Sequence, residues 1–186
     1  MESDPEIIIH WIRNDPRRWQ ILEAAAQFNL PDWCLAAGFV RNLVWDKLHQ
    51  YDRNTPLTDI DLIYFNPEDV TETADKNIEK QLYNLLPAPW SVKNQARMHL
   101  KHSHDPYQNI EDAMRYWVEI ETAVGVRLID NNLYLIAPYG TTSLLSGELT
   151  FNTLSNINVF KHRIEQKQWL IHWPQLEVNL RSNSNQ

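Results

Sequence analysis

The stretch that decides the fold is Thr58-Asp59-Ile60-Asp61-Leu62-Ile63-Tyr64. Its β-branched and aromatic residues predict a strand. Side chains two positions apart on a strand point to the same face, so Asp59 and Asp61 share one face. Ile60 and Leu62 point the other way, into a core. Neighbouring carboxylates repel each other, and hard cations such as Mg²⁺, which take oxygen ligands, are the usual reason for such a pair.

A second stretch lies upstream and reads Ala36-Ala37-Gly38-Phe39-Val40-Arg41-Asn42. The apolar residues 33–36 predict a strand, and apolar residues at helical spacing predict a helix over residues 40–49. Gly38 is one of only four glycines, which indicates a position where the backbone turns sharply or approaches a ligand. The start of the helix offers free N–H groups to a phosphate, and Arg41 adds a forked cationic donor.

Composition predicts one domain with a substantial core. The chain has 186 residues, 43% of them hydrophobic, and a net charge of -7, so bulk binding of DNA or tRNA is not expected. The single cysteine, Cys34, excludes a disulfide framework and favours a reducing, cytoplasmic location. The first residues are acidic and show no apolar export segment, and no stretch approaches the length needed to span a membrane.

Together, the two motifs resemble those of the polymerase-β-like nucleotidyltransferase superfamily, in which a glycine turn at a helix start precedes an Asp-x-Asp strand. The local pattern is similar to the head of CCA-adding tRNA nucleotidyltransferases, which carry Gly-Gly-x-Val-Arg-Asp and then Asp-Ile-Asp. The corresponding residues here are 37–42 and 59–61. Most of residues 30–175 also resembles a family of short bacterial nucleotidyltransferase-like proteins. That likeness further rests on residues 90–99, 125–127 and 137–140.

The resemblance implies an α/β (α+β) fold, in which helices flank a mixed β-sheet and helical segments stand at both ends. It implies a single domain over residues 1–180. Its predicted parts are N-terminal helices at 1–30, a catalytic-type core at 31–140, and a C-terminal helical segment at 141–178. Residues 181–186 form a predicted disordered tail, because they are short and polar.

The resemblance also implies an activity: transfer of a nucleoside monophosphate from an NTP to an acceptor. Asp59 and Asp61 are then the catalytic carboxylates that hold Mg²⁺. Gly38 lets the backbone close on the phosphates, Arg41 pairs with them, and Asn42 orients the sugar or a phosphate. A small molecule, a protein side chain or an RNA end would each serve as acceptor, and no membrane is involved.

One departure from the family pattern concerns the predicted strand at residues 90–94. In this fold that strand often supplies a third carboxylate, but here it carries serine, lysine and asparagine. Lys93 or Arg97 would then bind phosphate, or Glu119 or Glu121 would complete the site from a later strand. A third acid within metal-bridging reach of the Asp pair would support catalysis, and its absence would support binding alone.

Two alternatives therefore stay open beside the transferase. The chain is either a non-catalytic member of the fold that binds a nucleotide or a protein partner, or its Asp pair merely caps the turn near Gly38. Such a cap is the weaker hypothesis, because two carboxylates on one face are costly for a purely structural role.

Helical and strand periodicities predict the remaining elements. They are two helices within residues 5–29, helices at 71–86 and 109–117, a hairpin with arms at 119–129 and 133–137, and a helical region at 152–169. The histidine-containing segment 99–105 is predicted to be a polar loop. Four basic residues make the last helix the second candidate surface for phosphate: Lys161, His162, Arg163 and Lys167.

Overall fold

A computed structural model describes residues 3–180 and contains a five-stranded mixed sheet. The strands are β1 (Cys34–Ala36), β2 (Ile60–Tyr64), β3 (Trp90–Asn94), β4 (Gly125–Ile129) and β5 (Asn132–Ile136). They lie in the order β3-β2-β1-β4-β5. Within this sheet only β2 and β3 pair in parallel, and the other three pairs are antiparallel. The helix α4 (Glu72–Leu85) makes the crossover that a parallel pair requires. The predicted mixed sheet is confirmed.

The other helices pack around this sheet. They are α1 (Asp4–Arg13), α2 (Pro16–Ala26), α3 (Gly38–Leu48), α5 (Met98–His102), α6 (Ile110–Met114), α7 (Thr142–Leu145), α8 (Ile157–Lys167) and α9 (Trp169–His172). Asp15 caps α2, since its carboxylate accepts hydrogen bonds from the N–H groups of Arg17 and Arg18. Within residues 3–180, no helix has the length and apolar character that crossing a membrane requires.

Two predicted segments differ from the structure, and a third is not described by it. The C-terminal segment 141–178 also contains two strands, β6 (Glu148–Thr150) and β7 (Glu177–Asn179), which pair in parallel. The segment 99–105 is not a loop throughout, because α5 continues from a 3₁₀ turn at Gln95–Arg97. The proposed tail at 181–186 lies outside the described residues.

The predicted hairpin is confirmed only for its outer part. Its turn at Asp130 and Asn131 has φ angles of 48° and 61°, the left-handed pair that such a turn needs. Glu119 and Glu121 do not lie on the first arm, because residues 120–122 form a 3₁₀ turn. The reason is a tertiary contact: the carboxylate of Glu121 accepts a hydrogen bond from the N–H of Thr150, which holds this segment beside β6.

The two faces of the sheet are covered differently. Leu35, Ile60 and Leu62 belong to the main core, together with side chains of α1, α2 and α3. Ile63 lies on the opposite face, in a smaller cluster that includes Met114 of α6. Alternation along β2 therefore places its odd-numbered side chains, Asp61 and Ile63, on the lightly covered face.

A buried carboxylate on α3 connects this helix to two other parts of the chain. Asp46 is fully buried and accepts hydrogen bonds from the backbone N–H of Thr55 at 2.6 Å and from its hydroxyl at 2.7 Å. The indole N–H of Trp173, 127 positions later in the chain, donates to the same carboxylate at 2.8 Å. Asp46 thus fixes α3 to the loop before β2 and to the end of the C-terminal segment.

Candidate functional site

A cavity of about 600 Å³, called the cleft below, opens on the lightly covered face of the sheet. The turn before α3 and the strands β2 and β3 supply its floor, the segment 95–119 supplies one wall, and residues of and before α8 supply another. The residues that line the cleft include Ala37, Asp61, Lys93, His102, His104, Tyr107, Tyr116, Trp117, Glu119 and Arg163. Its volume is that of an ordinary small-molecule site.

Asp61 lies on the floor of the cleft, between Ala36 of β1 and Ser91 of β3. Burial raises the pKa of its carboxyl group, and the negative charge of Asp59 raises it further. A hydrogen bond from Ser91 and the positive charge of Arg41 act in the opposite direction. Asp59 precedes β2 and is exposed. The two aspartates therefore interact electrostatically at the mouth of a cavity, and Asp61 bonds to β3 rather than to the turn near α3.

The sharp turn before α3 occurs at Ala37 and not at Gly38. Ala37 has φ 55° and ψ -122°, a conformation that residues with a side chain rarely adopt, and its carbonyl accepts hydrogen bonds from Val40 and Arg41. Gly38 lies in the first turn of α3, where an added Cβ would stand 3.3 Å from the side-chain nitrogen of Asn42. The glycine therefore allows Asn42 to pack closely against the start of α3.

Arg41 lies behind the turn and does not line the cleft. Its guanidinium stands between two indole rings, 4.7 Å from the centroid of Trp45 and 4.5 Å from that of Trp169. It donates to the hydroxyl of Thr122 at 2.6 Å and to the side-chain oxygen of Asn42 at 3.0 Å. Burial lowers the pKa of Arg41 to about 10, so the group keeps its charge at neutral pH. It places a fixed positive charge beneath the aspartate pair.

The two cationic residues predicted on and after β3 are placed differently. Lys93 is exposed, pairs with Ile63 across the strands and lines the cleft. Arg97 forms an ion pair with the buried carboxylate of Asp75 in α4 and does not line the cleft. The hydroxyl of Tyr64 also donates to Asp75, at 2.8 Å. Arg97 therefore joins α4 to the turn after β3.

Sequence reasoning did not foresee the pairing of Glu119 with Arg163. Glu119 is fully buried and lines the cleft, where the guanidinium of Arg163 donates two hydrogen bonds to its carboxylate, at 2.6 and 3.1 Å. The only sequence signal was the basic character of α8. Glu121 points instead towards the backbone of Thr150. Across residues 3–180, no group of three or more histidine, cysteine or acidic side chains could hold a metal ion.

The donor set of the aspartate pair fits Mg²⁺ bound together with a nucleotide. Mg²⁺ commonly takes one or two carboxylates, keeps several waters, and completes its shell with substrate phosphates rather than with an all-protein cage. Asp59 and Asp61 supply two hard oxygen donors whose mutual repulsion a cation would relieve. Asp61 faces a cavity large enough for phosphates.

Comparisons with known proteins agree with this geometry. The sequence profile of a family described as nucleotidyltransferase matches residues 23–178. An NMR structure described as revealing a CCA-adding enzyme head domain is 31% identical in sequence to this chain. The match covers 93% of this chain and 95% of that one, and its TM-score is 0.81. No curated protein matches the chain significantly.

Two larger structures share the fold at low identity. A CCA-adding enzyme solved with CTP has a TM-score of 0.56 at 14% identity, and the match covers 96% of this chain and 44% of that one. A tRNA-processing enzyme complex has a TM-score of 0.51 at 14% identity, with 87% and 43% covered. At this identity they show the fold alone, whereas the profile and the head domain also show the family. The chain belongs to the nucleotidyltransferase family.

Proposed function

We propose that the protein binds a Mg²⁺–nucleoside triphosphate in the cleft and transfers its nucleoside monophosphate to an acceptor hydroxyl. The observation that carries this proposal is the placement of Asp61 on the cleft floor beside Asp59. The solved relative of the same fold that holds CTP makes an NTP the first ligand to test. The tRNA-processing relative makes an RNA end one acceptor to test, beside small molecules and protein side chains.

The proposed reaction balances without a further reactant. The acceptor oxygen forms a bond to the α-phosphorus, the bond from that phosphorus to the β-phosphate oxygen breaks, pyrophosphate leaves, and the hydroxyl proton passes to water. When bound, Mg²⁺ neutralises phosphate charge and makes the acceptor hydroxyl more acidic. Lys93 contributes a cation that can approach the phosphates directly, since it is exposed in the cleft.

The remaining predicted residues take positioning roles in this proposal. Gly38 and Asn42 shape the start of α3, whose N–H groups favour an anion. Arg41 stabilises the ionised aspartates from behind, because its buried charge interacts with both of them. Arg97 fixes the turn that follows β3 through its ion pair with Asp75.

A second candidate function is nucleotide binding without turnover. The strand β3, which often supplies a third carboxylate in this fold, carries Ser91, Lys93 and Asn94 here. Arg163 occupies both oxygens of Glu119, which also lines the cleft. With two carboxylates available, the site would still bind one cation with its nucleotide. The two functions differ only in whether pyrophosphate is released.

Calorimetry with each of the four NTPs, with and without Mg²⁺, tests the shared part of both candidates. Wild type should bind at least one NTP in a Mg²⁺-dependent manner, and Asp59→Asn/Asp61→Asn should lose that binding. The matched control is Glu23→Gln/Asp52→Asn, which removes two exposed carboxylates elsewhere. Failure of every NTP to bind the wild type would contradict both candidates.

A second assay separates the candidates. α-labelled NTP is incubated with RNA ends, small alcohols and protein acceptors, and pyrophosphate release is followed. Release that disappears in Asp61→Asn supports transfer. Tight Mg²⁺-dependent binding without release from any acceptor supports the non-catalytic function.

A further inference from the structure

Four aromatic rings in the segment 102–116 pack against one another, some stacked and some tilted. His102 stacks on His104 with centroids 5.6 Å apart and planes at 25°. His104 lies 4.4 Å from Tyr116 at 34°, and Tyr116 stacks on Tyr107 at 5.3 Å and 29°. We call these four residues and Trp117 the aromatic wall, since all five line the cleft. These aromatic side chains therefore line the same cavity as Asp61.

Packing alone does not account for the aromatic wall. Tyr107 is buried, and its hydroxyl shares a hydrogen bond of 2.7 Å with Nδ1 of His104. A structural role accounts for this pair. His102, by contrast, is exposed, and Tyr116 and Trp117 are only partly buried. None of the wall residues belongs to the main core on the other face of the sheet, and only Trp117 among them packs against the smaller cluster on this face. Ring surface is thus left open on the side of the cavity.

The cleft therefore combines two chemistries. Its floor offers a carboxylate and an ammonium, Asp61 and Lys93, to a metal-bound phosphate. Its wall offers aromatic surface, on which any base can stack because every base has a π-face. A nucleotide has this same division into a charged phosphate end and a flat aromatic end.

We propose that the aromatic wall is the stacking site for a nucleobase, with Tyr116 as its central ring. The inference rests on the proposed function, because it assigns the wall to the same ligand that the aspartates would hold by its phosphates. The base would belong either to the NTP or to the end of an RNA acceptor. Both present the same flat heteroaromatic ring, and the ligand series below distinguishes them.

The first test uses the wild type and varies the ligand. NTPs, tripolyphosphate and short RNA oligonucleotides are compared by calorimetry in the presence of Mg²⁺. If the wall holds the base of the NTP, tripolyphosphate should bind at least about tenfold more weakly than the best NTP, which is the size of one base–aromatic stack. If it holds an acceptor base, NTP and tripolyphosphate should bind alike, and the oligonucleotide should bind.

The second test varies the wall. Tyr116→Ala should weaken binding of the base-containing ligand by about tenfold or more and leave tripolyphosphate binding unchanged. Tyr116→Phe keeps the ring and should bind as wild type does. The control is Tyr83→Ala, which removes an exposed ring of α4 outside the cleft. Circular dichroism establishes that each variant is folded.

The outcomes separate this inference from the proposed function. Equal binding of NTP and tripolyphosphate, no oligonucleotide binding, and no effect of Tyr116→Ala on NTP affinity would overturn the aromatic wall and leave the Mg²⁺–NTP site intact. Oligonucleotide binding that depends on Tyr116, without any NTP binding, would uphold the wall and overturn the NTP site. Failure of NTP, tripolyphosphate and oligonucleotide alike would overturn both.

Discussion

The guanidinium of Arg163 forms a two-point ion pair with the carboxylate of Glu119, with Nε 2.6 Å from Oε1 and Nη2 3.1 Å from Oε2. Glu119 is fully buried, so removing Arg163 leaves a buried carboxylate without these two hydrogen bonds. We expect Arg163→Ala to lower the free energy of unfolding by about 3 kcal/mol, measured by urea denaturation. Lys76→Ala, which breaks an exposed ion pair with Glu79, should change it by less than about 1 kcal/mol. Equal effects of the two variants would contradict this account.

Asp61 makes stability depend on pH in a defined direction. Burial and the charge of Asp59 raise its pKa above the ordinary 3.8, so the folded state binds the proton more tightly than the unfolded state. The stability that this contributes is fully present below pH 3.8 and is lost as the pH rises through the folded pKa. Each unit of the pKa rise corresponds to about 1.4 kcal/mol.

Asp61→Asn should consequently be more stable than wild type at neutral pH without metal, and this advantage should shrink as the pH falls towards that of a free aspartate. Urea denaturation of both proteins across this range checks the prediction. Taking the difference between the two proteins removes the contribution of Glu121, whose pKa burial also raises. A variant that is less stable than wild type at neutral pH would contradict the prediction.

Ala37 holds a backbone conformation suited to glycine, at φ 55° and ψ -122°. Ala37→Gly should therefore stabilise the protein by about 1 kcal/mol, since it removes strain that exceeds the added chain entropy. Ala25→Gly on α2 is the control and should destabilise by at least about 1 kcal/mol, because glycine is unfavourable in a helix and a buried methyl group is lost. Thermal melting gives both values, and equal signs would show that Ala37 is not strained.

Arg41 and Lys93 should respond differently to substitution. Arg41→Lys removes a planar group held between two indoles, so we expect a loss of about 2 kcal/mol in unfolding free energy. Lys93→Ala should leave stability nearly unchanged and weaken Mg²⁺–NTP binding by about tenfold, because a charge-assisted contact is lost. Lys80→Ala, an exposed residue of α4, is the control. Unchanged NTP affinity in Lys93→Ala would remove that residue from the proposed site.

Local patterns predicted the parts of the site that lie within one element. Alternation in β2 placed Asp59 and Asp61 on one face, and the apolar spacing after Gly38 predicted α3. The helix begins two residues earlier than predicted, at Gly38 rather than at residue 40. The reason is that the turn falls on Ala37, and alanine carries no sequence signal for a positive φ angle.

Contacts between distant elements could not be derived in the same way. Glu119 and Arg163 are 44 positions apart, and neither periodicity nor charge pattern shows that their side chains meet. The sequence likewise placed Arg41 at the start of a helix, where an arginine is expected to bind a phosphate. Only the fold shows that Trp169 closes over its guanidinium. The aromatic wall was missed because its rings come from short, irregular elements without a repeating pattern.

The hydrogen bonds of Asp46 affect how the chain folds during its synthesis. Thr55 becomes available almost at once, but Trp173 is made 127 residues after Asp46, which takes about 10 s at ordinary translation rates. Until then, the helix that carries Arg41 lacks the indole donor to its buried acid. We therefore expect ribosome-bound chains that stop short of Trp173 to remain sensitive to protease around α3, and the proposed nucleotide site to be completed only near the end of translation.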